Sequence, residues 1–480
     1  MTPALRRKRL RLFVVVDCCG PLPEAVVSNG GQPTVGVEMG DQSLAGLAEE
    51  AFVYGSPLVV NLEQVNRYVT TGVGSVPAVS FNAFGHARTL ATSADTFVSI
   101  NNDTVYSMAE LDLSVGPIEL PVPATHGRYY VLQFVDAWTN NFAYVGTRGT
   151  GDEAGRFLLV PPGENVSADI PVIHVPTRVA SIVGRWAVSG QSDLDAVHSL
   201  QDATLLSPTD AAARAPLGIP AAGDGLPEEL RFFERLRVWA NAFPPAAHDR
   251  EYFQRFAPLG LTGDRSLAAA APDVATALST GYAAGRARIE AATRSGGSTA
   301  LTNGWLVSVH AIDYNVDYLE LGTIDTPEWK ITDPATRYLQ RAIVAYGGLW
   351  GNHGYEATYA ITYLDSDGEQ LTGDHVYRLR LSPLPPVAEF WSLTMYDLPN
   401  YYLPDNPIDR YSLGDRTPGI VYDEDGGITI TMSHAEPTEP RTRANWLPAP
   451  TGPFRPALRM YRPGAAILDG DWKPPAIERI

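Results

Sequence analysis

The sequence predicts an α+β protein built from two β-sandwich or jelly-roll-like domains with a mainly helical middle segment. Two groups of short strand-like runs, each rich in β-branched and aromatic residues, lie on either side of that segment. The segment between them carries apolar residues at helical spacing. The chain of 480 residues, with 45% hydrophobic and 19% charged residues, is long enough for two or three domains and typical of a well-cored protein.

The first 42 residues are set apart from this folded pattern. A basic run at residues 6–9 precedes an apolar run at 12–16, which is similar to the start of a signal peptide but shorter than the usual ~7–15 apolar residues. Residues 20–42 are rich in glycine, proline and valine. We expect residues 1–42 to form a disordered or poorly structured extension. The protein is cytoplasmic if the start is as given, and exported if a signal peptide lies upstream or is degenerate.

An N-terminal helix followed by a β-rich domain is predicted for residues 43–189. Apolar residues recur at spacings of three and four from Leu44 to Val65, and we expect the Gly55-Ser56-Pro57 sequence to kink or split this helix. Turn residues then separate a series of short strand-like runs. The predicted strands are residues 105–111, 128–135, 141–145, 156–160, 170–175 and 180–188.

Residues 190–345 are predicted to be mainly helical, and residues 346–480 to form a second β-rich domain. The predicted helices are residues 228–243, 264–294 and 332–346, with a short glycine-rich break at 295–298. The predicted strands of the second domain are residues 376–381, 390–396, 419–423 and 428–433. The acidic, glycine-containing sequence at 423–427 favours a hairpin turn between the last two strands.

Charge and motif content exclude several classes of function. An excess of 18 acidic over basic residues disfavours a general nucleic-acid binder and a surface for anionic lipid. The two cysteines, Cys18 and Cys19, are adjacent, so they form neither a disulfide framework nor a thiolate zinc cluster. No apolar run reaches the ~18 residues of a transmembrane helix. The nine histidines show no metal-binding spacing, so no metal is predicted, although a metal site built from residues distant in the sequence stays open. No organic cofactor is predicted either.

The candidate catalytic residues lie just before the first long strand. Asn102, Asp103 and Tyr106 place an amide, a carboxylate and a phenol close together in the sequence. Asp103 is the candidate acid or base and Tyr106 a second proton donor. The two side chains converge only if residues 101–104 form a turn, because residues three apart in a strand face opposite sides. The alternative is a turn in which Asx side chains cap the strand. His86 is a third candidate, as a general base with a pKa near neutrality.

The candidate substrate-binding residues follow other strands. Asp136 and Asn141 lie near Arg148 in the sequence, which suggests a carboxylate–guanidinium pair that orients a substrate, or a salt bridge that joins two strands. Arg410 and Arg416 would form a cationic wall for a carboxylate or phosphate, or else staple a loop to Asp415. The remaining candidates are Asn102, His353 and Trp446.

Longer motifs resemble two bacterial domain families. The N-terminal half is similar to domain of unknown function 1254, and the matching residues are Asn82, Phe84, His86, Arg88, 102–107, 112–114, Pro117, 127–130, Asp136 and 146–148. The C-terminal third resembles domain of unknown function 1214, and the matching residues are 390–397, 406–407, 410–412, 415–417, 425–426, 445–450, Arg459, Tyr461 and 470–472. The resemblance covers roughly residues 45–478. It implies a β-rich architecture of two domains with helices between them, often in exported proteins, and implies no particular reaction.

Two functions follow as expectations. The first is an enzyme that acts on a small polar or cyclic substrate by proton transfer, as a cofactor-independent hydrolase, lyase or isomerase, in a cleft between the domains. The alternative is a non-catalytic binding or assembly protein, which would be exported. In either case we expect a small-molecule ligand, a homo-oligomer, no nucleic acid and no transmembrane segment.

Overall fold

The structure is a computed structural model that describes residues 43–95, 99–210, 214–294 and 301–480. The expected extension at residues 1–42, with its two cysteines, lies outside these ranges, as does the glycine-rich break at 295–298. The described part confirms an α+β fold with two β-sandwiches and a helical middle segment.

The first sandwich encloses a core between a five-stranded and a four-stranded sheet. The strand orders are β1-β2-β8-β4-β5 and β7-β6-β3-β9. Alternate residues of each strand, such as Val105, Leu120 and Phe134, point into this core. The elements are α1 (Leu44–Thr70), β1 (Phe84–His86), β2 (Thr104–Asp112), β3 (Ile118–Val122), β4 (Tyr130–Asp136), β5 (Asn141–Gly146), β6 (Gly155–Val160), β7 (Val172–His174), β8 (Val179–Ala187), α2 (Leu194–Ala203) and β9 (Ser207–Pro208).

The helices pack together with α1 around a separate apolar core. That core covers one face of the five-stranded sheet, where Met108 and Val183 meet Leu62 and Phe233. The remaining elements of the middle segment are α3 (Glu228–Ala242), α4 (Arg250–Gln254), α5 (Pro272–Arg294), β10 (Leu301–Thr302), β11 (Trp305–Ser308) and α6 (Pro334–Gly347). Helix α6 begins at Pro334, with the Asp333 side chain accepting a hydrogen bond from the Thr336 amide at 2.8 Å.

The second sandwich has a six-stranded and a four-stranded sheet. The strand orders are β10-β11-β12-β18-β14-β15 and β17-β16-β13-β19. Trp391, Leu393 and Met460 point into the core between the two sheets. The elements are β12 (Ala357–Ile361), β13 (Tyr377–Leu381), β14 (Trp391–Asp397), β15 (Ser412–Gly414), β16 (Ile428–Ser433), α7 (Pro440–Ala444), β17 (Trp446–Pro448), β18 (Phe454–Tyr461), α8 (Ala465–Leu468) and β19 (Glu478–Arg479).

Two local features differ from or refine the sequence expectations. Of the two outcomes expected at Pro57, a split does not occur: helix α1 continues to Thr70, and its buried side packs on three other helices. Residues 419–423 are not a strand: only the second arm of the expected hairpin is one, and the turn itself is present, with the Asp423 amide donating to the Gly427 carbonyl at 2.7 Å. Strand β15, which was not among the predicted strands, forms the edge of the six-stranded sheet beside β14.

Candidate functional site

A polar face of the second sandwich is buried against the first. Strands β12, β18 and β14 place Tyr359 opposite Arg459, and Arg459 opposite Ser392. Tyr461 and Thr394 lie on the same face because side chains alternate along a strand. The outer face of a sandwich is normally in water, yet Arg459 is only 5% exposed and Tyr461 fully buried. Packing against the first sandwich therefore excludes water from this face of the second sandwich.

Residues 99–104 form that cover. The Asn101 side chain donates to the Tyr461 hydroxyl and accepts from the Asp103 and Thr104 amides, which makes the turn that the sequence suggested. Asp103 Oδ2 accepts from the Ser392 hydroxyl at 2.5 Å, and the Arg416 guanidinium donates to the Asp103 carbonyl at 3.1 Å. The turn thus holds Asp103 directly against the second sandwich.

Three arginines converge on this junction, where the Asp103 carboxylate interacts electrostatically with Arg416 and Arg459. Arg185 of β8 donates to the Gln133 side chain and the Trp350 carbonyl, both at 2.8 Å. Arg459 donates to the hydroxyls of Thr394 and Tyr396 at 2.8 and 2.6 Å. The Arg416 guanidinium carbon lies 3.5 Å from the centre of the Phe390 ring. In the described part of the chain, none of these three guanidinium groups forms an ion pair.

Two partly exposed tyrosines lie between these arginines. Tyr106 of β2 lies next to Arg185, whose guanidinium carbon is 5.5 Å from the Tyr106 ring centre. Tyr359 approaches from the other sheet and interacts electrostatically with both Arg185 and Arg459. Burial raises the pKa of the Tyr461 hydroxyl between them, and the Asp103 carboxylate raises it further. Burial also raises the pKa of Tyr359, so the Tyr359 and Tyr461 hydroxyls are protonated and able to donate hydrogen bonds at neutral pH.

Two buried polar atoms at the junction have no hydrogen-bond partner among the described residues. They are the Thr104 hydroxyl oxygen and the Asn352 side-chain nitrogen. Thr104 follows Asp103, and the other polar atom of the Asn352 amide accepts from Arg185 at 3.3 Å. Buried polar atoms are rarely left unpaired, so both are positions where a ligand or a water molecule would bind.

A second polar network continues from Arg185 along the same face of the first sheet. Gln133 donates to Asn141, and Asn141 donates to the Tyr144 hydroxyl, which lies 2.9 Å from His353 Nδ1. Burial, together with the nearby Arg148 charge, lowers the pKa of His353 to about 3, so this ring is neutral. The Arg148 side chain forms an ion pair with Glu356 at 2.5 Å. This network binds residues 350–356, which precede β12, to the first sandwich.

Each of the two sandwiches contains a region that matches a known family model. The family model described as "Protein of unknown function (DUF1254)" matches residues 81–208, and "Protein of unknown function (DUF1214)" matches residues 356–465. One matched region lies in each sandwich, and we refer to these as the DUF1254 and DUF1214 regions. No curated protein matches the sequence.

Comparison with solved structures shows a shared fold for one of two neighbours. A crystal structure of a Vibrio parahaemolyticus protein is 24% identical, covers 91% of this chain and all of its own, and has a TM-score of 0.68, which shows a shared fold. An uncharacterised protein from Burkholderia cenocepacia is 11% identical, covering 91% of this chain and 94% of its own, with a TM-score of 0.41.

The sequence-predicted site residues fall into three groups. Asp103, Tyr106 and Arg416 meet at the DUF1254–DUF1214 junction. Asn102 adjoins them, because its side chain donates to the Ala91 carbonyl at 2.6 Å and accepts from the Ser412 hydroxyl at 3.2 Å. Asn141, Arg148 and His353 belong to the second network.

The other predicted residues lie elsewhere. Asp136 accepts hydrogen bonds from the backbone and side chain of its own turn, and burial raises its pKa to about 6 against the effect of the Asn140 bonds. His86 lies 2.7 Å from the Ser107 hydroxyl, and burial lowers its pKa to about 4. Arg410 donates to the carbonyls of Ala444 and Trp446, and the Trp446 indole is fully buried.

Sequence reasoning did not select Arg185, Tyr359, Arg459 or Tyr461 as site residues. The sequence pattern that could have indicated them is a charged or phenolic residue at alternate positions of an otherwise apolar strand, as Arg459 and Tyr461 show. Across the described ranges, no group of three or more His, Cys, Asp or Glu side chains is placed to hold a metal ion. No helix in those ranges is both long and apolar enough to cross a bilayer.

Proposed function

We propose that the protein is an enzyme for a small organic anion, which it binds at the DUF1254–DUF1214 junction and transforms by proton transfer. The observation that carries this proposal is that Arg185 and Arg459, on opposite sides of the junction, have only neutral hydrogen-bond partners among the described residues. Hydrolysis, elimination and isomerisation are the reactions that such a site could catalyse with side chains alone.

The electrostatic argument starts from the cost of a buried charge. Neutral carbonyl and hydroxyl oxygens satisfy the N–H groups of Arg185 and Arg459 but do not neutralise their charges. The chain carries an excess of 18 acidic residues, so a general surplus of arginine does not account for this cluster. A carboxylate or phosphate between the two guanidinium groups would supply the missing charge, and the planar guanidinium favours such two-pronged binding.

The side chains around the arginines have complementary roles in this proposal. Tyr106 and Tyr359, the partly exposed phenols, would donate hydrogen bonds to the substrate and serve as acids. Asp103 would be the base, since in the described residues only its Oδ2 atom is hydrogen bonded and Oδ1 is left for the substrate. Thr104 and Asn352 would bind further polar groups of the substrate with their unpartnered atoms.

A non-catalytic binding or assembly protein is the second candidate. The observation that favours it is that Asp103, Asp136 and Arg148 each have partners within the chain, and that they do not converge in one open pocket. In that case the arginines would bind an anion without transforming it.

The first experiment measures anion binding by titration calorimetry with inorganic phosphate, acetate, benzoate and succinate. We expect at least one of these anions to bind, and Tyr106→Phe and Tyr359→Phe each to weaken its binding about 10-fold, because each variant removes one hydrogen bond to a charged group. The exposed Tyr422 lies outside the junction, so Tyr422→Phe is the control that should bind normally. If no anion binds, or if both junction variants bind as the wild type does, the anion site is excluded.

The second experiment separates catalysis from binding. NMR spectroscopy in D2O would follow the transfer of solvent deuterium into carbon positions of each anion that binds. We expect exchange in the wild-type protein and a loss of about 100-fold or more in Asp103→Asn, which keeps the size of the side chain but removes the base. Binding without exchange or turnover would favour the non-catalytic alternative.

A further inference from the structure

A groove separate from the junction lies between helix α6 and the second sandwich. Its volume is about 420 Å³, and its lining includes Val307, His310, Gln340, Trp472 and Lys473. Ile467 and Leu468 add to its apolar wall. None of the junction residues named above belongs to this lining.

An Asp–His pair stands at one side of the groove. His310 Nδ1 is 2.6 Å from Asp313 Oδ2, and the Asp313 side chain is 1% exposed whereas that of His310 is 54% exposed. The Asp313 carbonyl accepts from the Ile331 amide at 2.8 Å, and the imidazole lies 4.8 Å from the Trp329 ring. The second carboxylate oxygen, Asp313 Oδ1, is buried without a partner in the described part of the chain.

This arrangement fixes the state of the imidazole. A carboxylate that accepts from Nδ1 selects the tautomer with its proton on that atom, which leaves the Nε2 lone pair free. A half-exposed ring oriented by a buried acid is the geometry of a general base. A purely structural histidine does not need to stand at a groove wall with Nε2 unbonded.

The geometry points to His310 as the general base of a second site, which hydrolyses small esters with apolar acyl groups. Val307, Ile467, Leu468 and Trp472 give the groove an apolar wall for the acyl chain. The Lys473 ammonium lies in the same lining and can stabilise negative charge on the carbonyl oxygen.

The reaction balances with water as the only co-reactant. His310 Nε2 takes a proton from water while the water oxygen bonds to the acyl carbon, and the carbonyl electron pair moves to its oxygen. When this intermediate collapses, the carbon–oxygen bond to the alcohol breaks, and the departing alkoxide takes the proton from Nε2. The products are one carboxylic acid and one alcohol, and the imidazole is regenerated.

The pKa of His310 supports this role and supplies a readout for Asp313. The hydrogen bond to Asp313 raises the pKa of His310 above its ordinary value of 6.5, with burial opposing. Burial raises the pKa of Asp313 in turn, while His310 lowers it. The other titratable groups in the groove lining are Asp469 and Lys473. The rate should therefore rise with pH through a midpoint above 6.5.

The test is hydrolysis of p-nitrophenyl butyrate by the full chain. We expect saturable hydrolysis in the wild type and a loss of kcat of about 100-fold or more in His310→Gln. His174→Gln is the matched control and should retain full activity, because His174 is also half-exposed beside an acid, Glu320 at 3.4 Å, but lies outside the groove. Asp313 is a positioning residue, so Asp313→Asn should lower kcat and also move the pH midpoint downward.

A further variant separates the groove from ordinary imidazole chemistry. Ala311→Phe would fill part of the groove while keeping the His310 ring, so we expect it to raise KM or abolish saturation. A rate that does not saturate, or that is equal in the wild type and His310→Gln, would overturn the proposal. So would an unchanged rate in Ala311→Phe, since an exposed imidazole outside any site would behave in that way.

Discussion

At the scale of single residues, Arg185 and Glu110 show two ways in which one sheet face carries buried ionisable groups. Both side chains lie on the same face of the sheet, on the neighbouring strands β8 and β2. Arg185 keeps its charge and is surrounded by hydrogen-bond acceptors. Among the described residues Glu110 has one hydrogen-bond partner, the Ser181 hydroxyl, and burial raises its pKa to about 8 although that bond opposes the shift. Glu110 is therefore protonated at neutral pH.

Protonation of Glu110 makes the stability of the protein depend on pH. Its folded pKa of about 8 exceeds the ordinary value of 4.5, so its stabilising contribution is complete below pH 4.5 and is lost as the pH rises through 8. Between pH 6.5 and 8 we expect the wild type to lose about 1–2 kcal/mol of unfolding free energy relative to Glu110→Gln, which cannot ionise. Urea denaturation of both proteins at the two pH values measures this difference.

Groups other than Glu110 that titrate in this interval, such as His310, are present in both proteins and cancel in the comparison. The pKa values of Asp136 and Asp415 are about 6, and that of His353 is about 3, so their folded forms titrate at lower pH. Glu119→Gln is the control, because Glu119 forms an exposed pair with Arg156. If the wild type and Glu110→Gln lost stability in parallel, Glu110 would have to be ionised in the folded protein.

The sequence could nominate candidate residues but not their partners. Asp103 and Tyr106 lie in one local motif, and the turn that brings them to the junction follows from the Asn101 side chain. Arg148 meets Glu356 across 208 positions of the sequence, and no local pattern indicates such a pair. Arg459 lies at an alternate position of an apolar strand, a pattern typical of a solvated face, and it is buried where the Ser99 carbonyl accepts from its side chain.

At the scale of elements, helices α1 and α5 approach each other so closely that two positions of α5 require glycine. A Cβ atom on Gly281 of α5 would lie 2.4 Å from the Ala48 side chain and 2.6 Å from its backbone, and one on Gly285 would meet the Phe52 ring. These helices also bury the α1 segment around Pro57, and packing of this kind stabilises a helix through a proline that would break it in isolation. The sequence pattern predicted the helix but could not reveal this packing.

Gly281→Ala tests the close approach of α1 and α5. Alanine in place of glycine normally stabilises a helix by about 0.5–1 kcal/mol. Here the added methyl group must displace backbone atoms of α1, so we expect a destabilisation of about 1–3 kcal/mol. Urea denaturation measures this change. Thr280→Ala, at the exposed neighbouring position, should change stability by less than about 0.5 kcal/mol. Stabilisation by Gly281→Ala would show that the two helices can separate freely.

Strands were predicted most successfully where one face is apolar. The runs at 105–111 and 428–433 correspond to β2 and β16, because their alternate residues fill the sandwich cores. Residues 419–423 have β-forming residues but no such alternation, and they form a loop. Strands β10 and β11 lie in the segment predicted to be helical. They were missed because β11 pairs with β12, more than 50 residues away, and β10 is a two-residue strand that pairs with β11.

At the scale of the whole molecule, the two sandwiches are joined by polar contacts rather than by an apolar interface alone. Glu356 is central to this junction: it accepts from the Tyr129 hydroxyl at 2.9 Å and pairs with Arg148 at 2.5 Å, and its side chain is 1% exposed. Both partners belong to the first sandwich. A buried network of this kind couples the unfolding of the two sandwiches, because opening the junction would leave charges buried and unpaired.

Glu356→Ala should therefore both destabilise and uncouple the molecule. Removing one member of a buried ion pair costs about 3–5 kcal/mol. We expect one cooperative unfolding transition in the wild type and two in Glu356→Ala, followed by urea denaturation with fluorescence and circular dichroism. Glu478→Ala is the matched control, since its pair with Arg378 is half-exposed and lies within the second sandwich, and it should cost less than about 1 kcal/mol. A single transition in Glu356→Ala with only a small loss of stability would mean that the apolar contacts alone couple the sandwiches.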